Sequence, residues 1–212
     1  MDLDPKTSDR KDVYRLLQAC VLPRPIAWVS SLDADGTANL APFSFFMIHC
    51  TSPPIISIST ARREDQEKDT RRNIVETGEF VVNVVTEKVM EAMLVSARDF
   101  DRGVSEIEEA GLTTLPSVKV KPPRIAESPI QMECLLYKTL CLGDPDARWT
   151  VLFGEVVHFH VADEIIKDGY VSPDFAPIGR YYGPLYCRTE DRINQDVTWA
   201  AFLEKAENPK KT

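Results

Sequence analysis

Glycine is scarce in this chain, and what little there is lies scattered. The 212 residues hold nine glycines, with no GxGxxG and no GxxxxGK[ST] among them. That excludes the glycine fingerprints of classical dinucleotide-binding sheets and of P-loops. GxSxG and HExxH are also missing, so neither a nucleophile elbow nor a zincin helix is present. Five cysteines form no CxxC pair and read as reduced, mostly buried thiols of a cytosolic protein. No apolar run approaches the length of a membrane span, and the polar start MDLDPKTSDRKD does not read as a signal peptide. A basic excess is lacking too. The net charge is −8, which disfavours phosphate backbones and anionic lipid, so neither nucleic acid nor membrane is an expected partner.

What remains is an ordinary soluble composition, 43% hydrophobic and 27% charged, enough for one domain over residues 1–212 with a core at about 22–187. The patterning is β-rich. Val13 to Cys20 predicts a short helix stopped by Pro23 and Pro25. Ile26 to Leu32 predicts a strand, Asp35-Gly36 a hairpin turn, and about Thr37 to Phe46 a second strand. Pro53-Pro54 interrupts the chain before Ile55 to Thr60, where Ile56 and Ile58 oppose Ser57 and Ser59. Lys68 to Thr77 predicts a helix that Asp69 or Thr70 caps and Gly78 ends. Phe80 to Val85 reads as a fully buried strand. Thr86 to Ala97 reads as a helix with Val89, Met90, Met93, Leu94 and Ala97 on one face. Ser105 and Glu108 form a capping-box pattern. Two long strands follow, from Ile130 and over Val151 to Val161, the second with a bulge expected at Gly154 and the pair joined by a turn at Gly143 to Asp146. Hairpin succession predicts six to eight strands in an antiparallel barrel with helical insertions.

Four groups of residues carry chemistry. Arg62, Arg63, Lys68, Asp69, Thr70, Arg71 and Arg72 are locally basic, with Ser57, Ser59 and Thr60 just before them. They read either as an anion site or as a solvated charged loop. Asn39 to Ser44 contains Pro42, which marks a strand edge or bulge, so this stretch reads as a ring-binding edge or a plain barrel rim. His158 and His160 share a strand face. They lack a third metal ligand and line either a polar surface or a site. Trp28, Phe43, Phe45 and Phe46 are candidates for ring stacking or for the core.

The blocks RPIAWVSS, DADG, NLAPFSFF, KDT-RRNI, TGEFVVNVV, GEVVHFHVAD and PIGRYYGPLY, in that order from about Leu22 to Tyr186, resemble the flavin reductase-like FMN-binding split-barrel proteins. The similarity is greatest to the branch of the nitrilotriacetate monooxygenase reductase component and flavoredoxin. The resemblance implies a mainly β fold, a six-stranded antiparallel split β-barrel with flanking helices, in a homodimer. It implies FMN, reduced by NADH or NADPH, and a flavin reductase that supplies a partner monooxygenase. The alternative is a flavoredoxin-like electron carrier without nicotinamide turnover, and a third possibility is a barrel that has lost flavin and serves assembly. By matching blocks, Trp28, Ser30 and Ser31 would lie beside the flavin. Asn39, Ala41, Pro42, Phe43 and Ser44 would line its ring and ribityl chain. Ser59, Arg62, Lys68, Asp69 and Thr70 would hold its phosphate. His160, Arg180 and Tyr181 would lie on the nicotinamide side or at the dimer contact. Met47 departs from the branch, which commonly has asparagine after SFF.

Overall fold

The computed structural model describes residues 2–61, 68–100, 103–143 and 149–192. Seven strands form one antiparallel sheet: β1 (Ala27–Leu32), β2 (Ala38–Phe43), β3 (Phe46–Thr51), β4 (Pro54–Ala61), β5 (Glu79–Val84), β8 (Ile130–Leu142) and β9 (Trp149–Val161). Three short hairpins flank it, β6 (Thr114–Leu115) with β7 (Arg124–Ile125), β10 (Ile166–Lys167) with β11 (Tyr170–Val171), and β12 (Ile178–Arg180) with β13 (Tyr186–Arg188). The helices are α1 (Arg10–Cys20), α2 (Asp69–Thr77), α3 (Met90–Ser96) and α4 (Glu106–Glu109). None of the described helices is long and apolar enough to cross a membrane.

Strand order is β2-β1-β5-β8-β9-β4-β3. The two edge strands, β2 and β3, are consecutive in the chain and are joined by only Ser44 and Phe45. So short a link forces the sheet to curl until its edges meet at one end. The result is a barrel that does not close along its length, with the split running between β2 and β3 from the Ser44-Phe45 link. A hydrogen bond from Ser59 N to Phe45 O (2.8 Å) pins the link to β4.

Alternation along β1 feeds two cores. Ala27 and Val29 face the barrel interior with Ile56, Ile58, Phe80, Val82, Leu152 and Val156. Trp28 faces outward to a second layer with Leu40, Val85, Val89, Met93 and Ile107. Gly154 stands where the barrel interior has no room for a side chain: a Cβ there would collide with the Phe80 ring at Cζ.

Several local expectations change. The stretch read as one strand from Thr37 to Phe46 breaks at Ser44, and β3 adds a seventh strand where no alternation announces it, because most of this edge strand is exposed. Lys68, not Asp69 or Thr70, occupies the N-cap of α2 and makes no side-chain cap bond. Gly78 ends that helix with φ of 76°. The helix predicted from Thr86 starts as a 3-10 turn at Glu87–Val89, and Leu94 is exposed. Ser105 precedes α4 but makes no side-chain cap bond. The register of β8 against β9 skips at Val157 and at Tyr137; the second skip falls opposite the step from Gly154 to Phe153, so the expected irregularity lies beside Gly154 but its extra residue is on β8. Asp144 to Asp146 of the predicted turn lie outside the described residues.

Candidate functional site

The split holds a cavity of about 640 Å³ with a polar annex of about 190 Å³, the two sharing Tyr14, Ser44, Phe45, Ser59 and Trp149. The larger volume falls in the range of small-molecule sites. Phe45 stacks on Trp149 at 5.2 Å between centroids and an interplanar angle of 13°. Tyr14 of α1 tilts against both rings, at 6.4 and 6.3 Å. The strand period explains the floor. Ile56 and Ile58 of β4 go to the barrel core, so Ser57 and Ser59 turn to the cavity.

Charge is partitioned sharply. Arg10 and Arg24 line the chamber, Lys68 lines the annex, and no described carboxylate lines either. The Lys68 ammonium lies 5.4 Å from the Phe43 ring centroid, beside Ser44, Ser59 and Thr60. Arg24 is 5% exposed, and its guanidinium sits 5.9 Å from the Phe45 ring centroid. Burial, then the neighbouring Arg180 charge, lowers the Arg24 pKa from its ordinary value.

Of the residues assigned from the sequence, Pro42, Phe43, Ser44, Ser59 and Lys68 come together here. Arg180 and Tyr181 sit beside the chamber through Arg24. Arg180 N donates to Arg24 O (2.7 Å), and Tyr181 O accepts from Arg24 Nη2 (3.1 Å). Met47 lines the chamber rim and is 57% exposed. Arg62 lies outside the described residues.

The rest are placed elsewhere. Trp28 has no exposed surface; its indole N–H donates to Ser96 Oγ (2.8 Å) in the outer core. Ser30 Oγ donates to Pro123 O (2.5 Å), and Ser31 Oγ accepts from Asn73 Nδ2 (3.3 Å), both fully buried. Ala41 packs against the barrel core. Asn39, Asp69 and Thr70 belong to a separate polar cluster with Glu106. The Asn39 amide is oriented so that its oxygen accepts from Thr70 Oγ1 (2.9 Å) and Leu40 N (3.1 Å) and its nitrogen donates to Glu106 Oε1 (3.3 Å). Asp69 pairs with Arg72. Burial raises the Glu106 pKa from its ordinary value. His160 lies at the far end of β9 from Trp149, about 35 Å along the strand at roughly 3.3 Å per residue. There its Nε2 bonds Glu133 Oε1 at 2.6 Å. Glu133 is fully buried and also accepts from Val118 N, Lys119 N and Val120 N. Burial alone would raise its pKa, but these bonds outweigh it and the pKa falls below the ordinary value. The described residues contain no group of three or more His, Cys, Asp or Glu placed to hold a metal.

Tyr14, Gln18, Arg24 and Trp149 were not assigned to the site from the sequence. Arg24 carried a signal, a lone cation between two prolines, and Tyr14 and Gln18 a helical i,i+4 spacing; Trp149 follows an ill-patterned turn and carried none.

The model of the flavin reductase-like domain matches residues 19–191. The chain belongs to the flavin reductase-like domain family. An uncharacterised protein of Aquifex aeolicus is 41% identical over 191 residues, covering 89% of this chain and 95% of its own. The crystal structure of nitrilotriacetate monooxygenase component B from Bacillus cereus superposes with a TM-score of 0.88 at 35% identity, covering 92% of this chain and 98% of that one. The 2-nitrobenzoate 2-nitroreductase of Pseudomonas fluorescens gives 0.83 at 36% identity, covering 94% and 97%. This family assignment accords with the antiparallel split-barrel architecture.

Proposed function

We propose that the chain is an NAD(P)H-dependent FMN reductase whose flavin occupies the split. The observation that carries this reading is the cavity itself: about 640 Å³ in the split, walled by the stacked Phe45 and Trp149 rings and floored by Ser57 and Ser59, with a polar annex at Lys68. The lining fits FMN part by part. Lys68, Ser44, Ser59 and Thr60 in the annex are of the chemistry that suits a phosphate, a cation beside hydroxyls. The Phe45–Trp149 stack and the apolar chamber suit a flat ring system. FMN would supply the hydride-accepting chemistry, which needs no protein nucleophile. The chain's residues then have two tasks: orienting the rings and offsetting negative charge. Lys68 serves the second, and Pro42 to Ser44 with Phe45 the first.

Further parts of the reading follow the family resemblance. The protein acts as a cytoplasmic homodimer and passes reduced flavin to a partner monooxygenase, by analogy with the reductase component named above. Exposed Met47 and Ile48 on the β3 edge, and Leu140 and Leu142 on β8, supply apolar surface for such a dimer. The alternative is an electron carrier of the flavoredoxin kind. Purified protein mixed with FMN and then with NADH or NADPH separates the two. Nicotinamide oxidation that depends on FMN supports the reductase, bound flavin with negligible nicotinamide turnover supports the carrier, and no flavin binding removes both.

A further inference from the structure

We infer that α1 is a movable roof over the cleft and that Arg24 is the residue that positions it; this rests on the cleft being the ligand site. Helix α1 has eleven residues and not one of them is buried. Helices of this length are marginal in water and ordinarily depend on packing an apolar face into a core. Here the apolar face does not reach a core: Val13, Tyr14 and Leu17 line the chamber instead, and Leu17 remains 58% exposed.

The fixed contact is Arg24. Its backbone is locked to the β12 segment in both directions, Arg24 N to Arg180 O at 3.0 Å and Arg180 N to Arg24 O at 2.7 Å. From that frame four of the five guanidinium N–H donors are engaged. Nη1 donates to Gln18 O (2.7 Å) and Val21 O (3.1 Å) at the C-terminal end of α1. A cation is favoured there because the last carbonyls of a helix are unpaired and partly negative. Nη2 donates to Tyr181 O (3.1 Å), and Nε to Ser44 Oγ (3.4 Å) in the link between the barrel edges. One side chain thus ties roof, wall and floor of the cleft. Most of its donors are spent on protein oxygens, so its main work is to position α1 rather than to grip a ligand. Lifting α1 about the Arg24 attachment opens the chamber without disturbing either core.

The test is amide hydrogen exchange of α1, with FMN as the probe ligand, on wild type, Arg24→Lys and Asp9→Ala. A lysine cannot serve four separate acceptors. In the free wild-type protein α1 amides should exchange at least about tenfold faster than those of β1 and β4, as expected of a locally opening unit. FMN should slow α1 selectively. Arg24→Lys should speed α1 exchange and FMN release about tenfold, the equivalent of one charge-assisted hydrogen bond, with β1 unchanged. Asp9 accepts from Lys11 N (2.7 Å) at the other end of α1, away from the frame, so its variant is informative even where Arg24→Lys fails to fold. Its release rate should rise about fivefold, the scale of a lost N-cap. Exchange in α1 as slow as in β1, or release rates indifferent to both variants, overturns the roof. Failure of the wild type to bind FMN counts against the flavin reading alone, because the free-protein exchange comparison needs no ligand.

Discussion

Lys68→Ala bears on the annex more directly than any other substitution. The lysine is exposed and is the only cation lining the annex among the described residues. A charge-assisted hydrogen bond is worth about 1.5–3 kcal/mol when sheltered. Solvent screening at an exposed ammonium takes the expected loss to that minimum or below it, about 1–1.5 kcal/mol. That corresponds to roughly a five- to twelvefold rise in the FMN Kd. The assay is a titration followed by flavin fluorescence, repeated with riboflavin, which lacks the phosphate. FMN affinity should fall and riboflavin affinity should stay, and the FMN deficit should shrink as salt is raised. Arg188→Gln removes the same formal charge at a distance, where Arg188 pairs with Glu87, and should leave both titrations unchanged. Equal weakening of FMN and riboflavin by Lys68→Ala, or weakening of neither, refutes the assignment of the phosphate to the annex.

Other consequences do not depend on Lys68. Trp149→Leu removes the partner of Phe45 and should weaken FMN binding about two- to tenfold, the range of an aromatic pair, while Trp28→Phe, in the outer core, should leave the affinity unaltered; both are read by the same titration. Gly154→Ala drives a methyl into the Phe80 ring and should cost about 1–3 kcal/mol in urea unfolding, with Phe80→Leu restoring part of it. Glu133→Gln sets an amide N–H₂ among three backbone donors and should lower stability by about 2–4 kcal/mol near neutral pH. Because the folded pKa of Glu133 is depressed, its stabilisation is present above the unfolded value of about 4.3 and is lost as pH falls through the folded value. The wild type should therefore lose stability on acidification across that window more steeply than Glu133→Gln, as measured by denaturation between neutral and acid pH.

The barrel strands were legible because their chemistry is local. Alternation in β4 set Ile56 and Ile58 against Ser57 and Ser59, and the run Phe80 to Val85 announced a buried strand, found at Glu79–Val84. The block match assigns Pro42, Phe43 and Ser44 to a ring and ribityl edge and Ser59 and Lys68 to a phosphate end, and the fold brings these five together at one annex. Strand β3 was not legible, because most of an edge strand is exposed and needs no apolar period. Trp28, Ser30 and Ser31 were placed beside the flavin by block matching. In the fold Trp28 and Ser30 face away from the barrel interior, and Ser31 is spent on Asn73. Asn39 and Thr70 bond each other in the outer polar cluster, an arrangement that depends on how β2 and α2 pack. The block match puts His160 on the nicotinamide side or at the dimer contact, and the fold sets it at the opposite end of β9 from Trp149. The roof residues Tyr14 and Gln18 had a helical pattern but nothing to say which surface that helix would cover.

The decisive measurement is anaerobic mixing of the FMN-loaded protein with NADH and, separately, NADPH, followed by flavin absorbance. Bleaching of the bound flavin by one of the two nicotinamides, slowed in Lys68→Ala in proportion to the lost FMN occupancy, is the predicted result. Flavin that stays oxidised with both donors, or a protein that takes up no FMN at all, contradicts the account.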